Sequence, residues 1–139
     1  MPAKKNRPPE IQFPELTRER LVHYRTSPVD FIQDQTIVQN ALDGGKTWIR
    51  PILTDLHRKV VNEVLLTKDE DCNPLYTFML LGLARKMSKT VLAALMWIWK
   101  ACCQPNELIL LAGPTKDAIE GLAFKTCAEV FERNTKLRT

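Results

Sequence analysis

The sequence predicts an α/β fold in which two helices precede an incomplete parallel sheet. Three observations carry this expectation. Two apolar runs, Tyr76-Thr77-Phe78-Met79-Leu80-Leu81 and Leu108-Ile109-Leu110-Leu111, are nearly continuous rather than alternating, as strands buried on both faces are. Between them, Val91-Leu92-Ala93-Ala94-Leu95-Met96-Trp97-Ile98-Trp99 is too long for a strand and apolar on nearly every face. The order of strand, loop, helix, strand, helix then makes a right-handed crossover unit.

Taken in order, residues 1–26 read as a flexible, basic, proline-rich arm, with Lys4, Lys5, Arg7 and four prolines before residue 15. Residues 27–139 read as one domain. Ser27-Pro28-Val29-Asp30 is a helix start, with Ser27 as N-cap and Pro28 in the first turn. Phe31, Val38 and Leu42 would share one face of that helix, which Asp43-Gly44-Gly45 ends. Residues 46–52 form a loop or short extended piece carrying Trp48. Thr54-Asp55 opens a second helix with the stripe Leu56, Val60, Val61, Val64, Leu65. A charged loop, 68–74, leads to the first strand, 75–81. A helix over 90–103 and a second strand over 107–112 follow. Gly113-Pro114-Thr115 is a turn, and Thr115 caps a last helix showing Ile119, Leu122, Ala123, Thr126 and Val130 on one side.

A chain of 139 residues, 45% of them hydrophobic, is enough for one core. Its net charge of +4 suits a phosphate or nucleic-acid partner. The four cysteines show no CxxC spacing and read as reduced thiols. Arg85, Lys86 and Lys89 interrupt the apolar runs, so no membrane span is expected.

The chemistry concentrates at Leu83-Ala84-Arg85-Lys86-Met87-Ser88-Lys89-Thr90, where the first strand hands over to the apolar helix. A Lys-Thr pair at such a turn is the core of a phosphate-binding loop. Backbone N–H groups at the helix start point at a phosphate, and the helix dipole favours negative charge there. Lys89 would reach the terminal phosphates and the Thr90 hydroxyl would help hold Mg²⁺. The usual glycine before the lysine is Ser88 here, which adds a Cβ where phosphate approaches closely. Two other patterns compete. Gly44-Gly45-Lys46-Thr47 has the glycine, but a helix precedes it and Pro51 follows, so it reads as a helix C-cap and turn. Lys86-Met87-Ser88-Lys89-Thr90 differs by one hydroxyl residue from the Lys-Met-Ser-Lys-Ser signature of class I aminoacyl-tRNA synthetases. Val91-Leu92 follows it, however, and neither His23 nor His57 stands in a His-x-Gly-His motif.

Residues 30–134 resemble the start of the large subunit of tailed-virus terminases, the ATP-driven motors that package DNA into proheads. Three blocks carry the resemblance. Pro51-Ile52-Leu53-Thr54-Asp55-Leu56-His57-Arg58 is similar to the segment leading into the motor's first helix, where the family often has Trp-Gln. Residues 76–90 look like its first strand and Walker A loop, with Arg85-Lys86 matching a common basic pair. Leu108-Ile109-Leu110-Leu111-Ala112-Gly113-Pro114-Thr115-Lys116-Asp117-Ala118 looks like its second strand and following turn. The resemblance implies a P-loop NTPase-like sheet that binds ATP and Mg²⁺. Ala84, Arg85, Lys86, Met87, Ser88, Lys89 and Thr90 would line the nucleotide, Thr90 would hold the metal, and Arg85 would be the catalytic arginine acting in cis. His57 stands where the adenine-reading Gln would. The implied partners are double-stranded viral DNA, the portal and the small terminase subunit, in the host cytoplasm and without a membrane.

The family's next requirements are a Walker B Asp, a catalytic Glu and a nuclease domain, and none follows before Thr139. The chain therefore reads as the amino-terminal part of a larger motor, holding the Walker A half only. Met96, Trp97 and Trp99 are expected to bury against strands supplied elsewhere. The alternatives are a small non-catalytic protein that binds nucleic acid or a partner, and an inactive prophage remnant.

Overall fold

The computed structural model describes residues 11–80, 82, 89–104 and 106–138. Residues 18–26, placed by the sequence in a flexible arm, instead form helix α1 (Arg18–Thr26). The Thr17 hydroxyl caps it by accepting from the Arg20 N–H at 3.2 Å, and Tyr24 is fully buried. The segment ahead is held as well, since Ile11, Phe13 and Leu16 rest against the core. Charge and proline content hid one N-cap and a few apolar anchors, which are enough to order a segment once a core exists to receive them. Residues 1–10 lie outside the described residues.

Helix α2 (Pro28–Gln35) starts where the sequence predicts but stops well before Asp43. The Thr36 hydroxyl donates to the Ile32 carbonyl, taking the acceptor that another helical turn would use. Arg50 donates to the next two carbonyls, Gln33 at 3.2 Å and Asp34 at 2.9 Å. The β-branched run Thr36-Ile37-Val38 then goes extended. Strand β1 (Val38–Gln39) pairs antiparallel with β2 (Trp48–Ile49), with Val38 opposite Ile49 and Gln39 opposite Trp48. A 3₁₀ turn (Ala41–Asp43) and two left-handed glycines, Gly44 and Gly45, connect them. The Asp43 carboxylate accepts from the Gly45 N–H at 3.1 Å, the Lys46 N–H at 2.9 Å and the Thr47 hydroxyl. Gly44-Gly45-Lys46-Thr47 is thus a turn, as expected, but one that closes a hairpin.

Helix α3 (Asp55–Leu66) has the predicted Thr54 cap, and Val61 is its buried anchor; Leu56, assigned to the apolar stripe, faces solvent. Helix α4 (Lys89–Cys103) follows the predicted boundaries closely. The strands expected on either side of it are not seen. Residues 75–80 and 107–112 form no ladder among the described residues, whose one sheet is the two-stranded hairpin. Phe78, Leu80, Leu108 and Leu110 are each about four-fifths exposed. An apolar run makes a strand only when a neighbouring backbone pairs with it, and these two runs do not pair.

The core instead forms between helices. Leu92, Leu95, Ile98 and Trp99 of α4 join Tyr24, Phe31, Ile32, Val61 and Val130 in one cluster. Met96 and Trp99, expected to await strands from elsewhere, are buried within this helical core, Trp99 against Tyr24, while Trp97 is only partly buried. Helix α5 (Lys116–Ile119), a π-helical turn (Glu120–Phe124) and helix α6 (Lys125–Arg133) make one continuous run after the predicted Thr115 cap. A 3₁₀ turn (Thr135–Arg138) ends the described chain. Asn134, at the end of α6, is buried and donates to the Gln35 backbone and side-chain carbonyls at 3.0 and 2.9 Å. Among the described residues no helix is long and apolar enough to cross a membrane.

Candidate functional site

Lys89 and Thr90 are the first two residues of α4. A helix of this length leaves its first N–H groups without intrahelical acceptors and carries partial positive charge there, a local field suited to an anion. Ala84, Arg85, Lys86, Met87 and Ser88 lie outside the described residues. Of the predicted site, the structure therefore describes Lys89, Thr90 and His57.

Thr90 opens onto a cavity of about 460 Å³, within the range of roughly 300–1,000 Å³ typical of ligand pockets. Three elements build it. The hairpin brings Gln39, Gly44, Gly45 and Trp48; α4 brings Thr90 and Val91; the helical run after Thr115 brings Gly121, Lys125 and Thr126. Each owes its place to local sequence. Directly opposed residues in an antiparallel pair project to the same side, so Gln39 and Trp48 share a face of the hairpin, with the Gln39 amide against Gly45. The Asp43 carboxylate fixes the Gly44-Gly45 turn. Hydrogen bonds, first from the Thr47 hydroxyl and then from backbone N–H groups, hold its carboxyl below the ordinary range. The Arg133 guanidinium sits 4.7 Å from the Trp48 ring centroid and steadies the ring by a cation–π contact. The π-helical turn places Gly121 without a side chain at the wall, and Lys125 begins the next helix. Such turns inside helices recur at functional sites. Lys125 carries the only formal charge among the described lining residues.

His57 is elsewhere. Its ring closes the capping box of α3: Nδ1 accepts from the Thr54 N–H at 3.3 Å, while the His57 N–H donates to the Thr54 hydroxyl at 3.3 Å. An accepting Nδ1 leaves the ring proton on Nε2, which is buried and has no partner among the described residues. His57 lines a cleft of about 60 Å³ with Pro51, Leu53 and Leu92, room for a water or two. That cleft borders the large cavity through Val38 and Val91, but Thr90 does not line it. The structure thus joins Thr90 to the hairpin rather than to His57.

Among the described residues no cluster of three or more His, Cys, Asp or Glu side chains could hold a metal. Thr90 offers one oxygen, which fits Mg²⁺ carried mainly by phosphates and water. Burial pushes the Cys102 thiol up to about 11 and Cys103 to about 12, so neither is a ready nucleophile. Sequence reasoning missed Gln39, Trp48 and Lys125. The visible signal was Trp48 directly after the Gly-Gly-Lys-Thr turn; nothing in helical periodicity announces the π-helical turn that places Lys125. No family model, no curated protein and no solved structure matches the chain.

Proposed function

We propose that this chain is the amino-terminal, Walker A part of a terminase large subunit and binds ATP with Mg²⁺ at the start of α4. The observation that carries the proposal is the placement of Lys89-Thr90 in the first turn of a long buried helix, with Thr90 opening onto a ligand-sized cavity. Lys89 would contact the β- and γ-phosphates and Thr90 the metal. Arg85 would offset charge on the transferring phosphate, and Ala84, Lys86, Met87 and Ser88 would complete the loop. The bound nucleotide would supply the hydrolysable phosphate that drives DNA movement into proheads, in a P-loop NTPase-like sheet completed by the rest of the motor. Double-stranded viral DNA, the portal and the small subunit would be its partners in the host cytoplasm. His57 is the position that the resemblance assigns to adenine reading.

The test is a titration of the chain with a fluorescent ATP analogue and Mg²⁺. Saturable binding that disappears in Lys89→Ala is the expected result. A folded chain that binds no nucleotide would sink the proposal.

One observation favours a second reading, a non-catalytic protein that docks a partner: Phe78, Leu80, Leu108 and Leu110 present apolar surface to solvent. On that reading Lys89→Ala leaves partner binding intact, because no single charge carries it.

A further inference from the structure

Apart from Thr90, the cavity is built from residues outside the phosphate-loop motif and outside the three blocks that carry the resemblance. Its contents have a specific chemistry. Trp48 gives a large aromatic surface held by Arg133. Gln39 gives an amide with a donor and an acceptor, on the same face of the hairpin as the indole by cross-strand pairing. Gly44, Gly45 and Gly121 leave the walls without side chains, and Lys125 adds a positive charge with no carboxylate among the described lining residues. An aromatic platform, an amide at its edge and a cation beyond suit a nucleobase attached to a phosphate chain.

We propose that this cavity holds the base-and-ribose end of a nucleoside triphosphate, with Trp48 as the base platform, Gln39 reading the base edge and Lys125 facing the phosphate chain. The inference rests on nucleotide binding at the start of α4, and it moves base recognition from His57 to the hairpin. Space decides between the two places. The cavity of about 460 Å³ admits a nucleoside, whereas the cleft of about 60 Å³ at His57 does not. Position agrees with space, because Thr90 lines the first and not the second. The π-helical turn acquires a role: it sets Gly121 and Lys125 against the hairpin across the same cavity.

The experiment is calorimetric titration of the full chain with Mg-ATP and, separately, with Mg-tripolyphosphate, alongside intrinsic tryptophan fluorescence. ATP is expected to bind more tightly than tripolyphosphate and to quench fluorescence, and the quench is expected to vanish in Trp48→Phe. Gln39→Ala should weaken ATP about tenfold and leave tripolyphosphate unchanged, the loss of one base contact. Lys125→Ala should weaken both ligands. ATP binding that needs Lys89 but is indifferent to Gln39→Ala, Trp48→Phe and Lys125→Ala overturns the inference and leaves the nucleotide proposal standing. Equal affinity for ATP and tripolyphosphate does the same. A folded chain that binds neither ligand overturns both.

Discussion

The indole N–H of Trp99 donates to the backbone carbonyl of Tyr24 at 2.7 Å, across 75 residues of sequence. The contact has a covalent cause. A carbonyl at position 24 would normally accept from the N–H of residue 28, and residue 28 is Pro28, which has none. Proline thus both starts α2 and orphans a carbonyl at the end of α1, and α4 supplies the donor. Trp99 is 1% exposed and Tyr24 wholly buried, so no water replaces the bond.

Replacing Trp99 with Phe keeps much of the aromatic volume and removes the donor. Stability is expected to fall by about 1–3 kcal/mol, the cost of a buried carbonyl left unsatisfied. Urea unfolding followed by circular dichroism reads the change. A loss below about 0.5 kcal/mol would mean that the carbonyl finds another donor.

Asn134 and Gln35 form a second buried polar link, joining the end of α6 to the end of α2. Gln35 also donates to the Tyr24 hydroxyl at 3.2 Å and to the Pro14 carbonyl at 3.0 Å, tying the amino-terminal segment to the same network. Asn134→Ala is expected to cost roughly 1–3 kcal/mol, with a similar cost for Gln35→Leu. The double variant should cost less than the sum, because the Asn134 amide and the Gln35 side-chain carbonyl, each stranded by the other's loss, are removed together. Strict additivity in urea midpoints would show that the pair does not act as a unit.

Stability should fall at both pH extremes, for opposite reasons. The hydrogen bond to His23, at 2.7 Å, holds the Asp30 carboxyl below its ordinary 3.8. A lowered folded value contributes stability above 3.8 that is lost as pH falls through it. The effect is small, because both side chains are about half exposed. On the alkaline side burial raises Tyr24 above 10.0, Cys102 from 9.0 to about 11 and Cys103 from 9.0 to about 12. Raised folded values keep their contribution below about 9 and lose it as pH climbs towards those values. Urea midpoints measured from pH 2 to 11 check both limbs. Asp30→Asn should flatten the acid one and Cys103→Ala the alkaline one.

Thiol labelling gives a further check on the packing. Cys72 is exposed, Cys102 and Cys127 are half-buried and Cys103 is buried. A disulfide reagent at pH 8 should label one thiol fast in the native chain and all four in urea, and Cys72→Ser should remove the fast phase. Rapid labelling of Cys103 would contradict the core described above.

Local signals served well where one residue's chemistry decides. Thr54 and Thr115 mark true helix starts, because a capping side chain satisfies N–H groups within its own turn; Ser27-Pro28 marks another through the fixed backbone of Pro28, with no side-chain cap bond from Ser27. The apolar stretch 91–99 marks α4 because its length excludes a strand. Signals that need a distant partner misled. Residues 75–80 and 107–112 have strand composition and no strand, since composition cannot name the backbone that would pair with them. Arm residues 18–26 look solvated in sequence and are helical, because Tyr24 is received by Trp99 and Phe31.

The candidate site divides in the same way. The sequence by itself determined that a Lys-Thr pair begins a long apolar helix, since both the pair and the helix are local properties of residues 89–103. It also determined that Gly44-Gly45-Lys46-Thr47 turns the chain, since left-handed glycines and an Asp carboxylate act within a few residues. Only the tertiary structure decided that this turn stands beside Thr90, that Gln39 and Trp48 share a face there, and that Lys125 closes the cavity. Those relations depend on strand register, on a π-helical turn and on how α6 crosses α4, all set by the packing of side chains far apart in sequence.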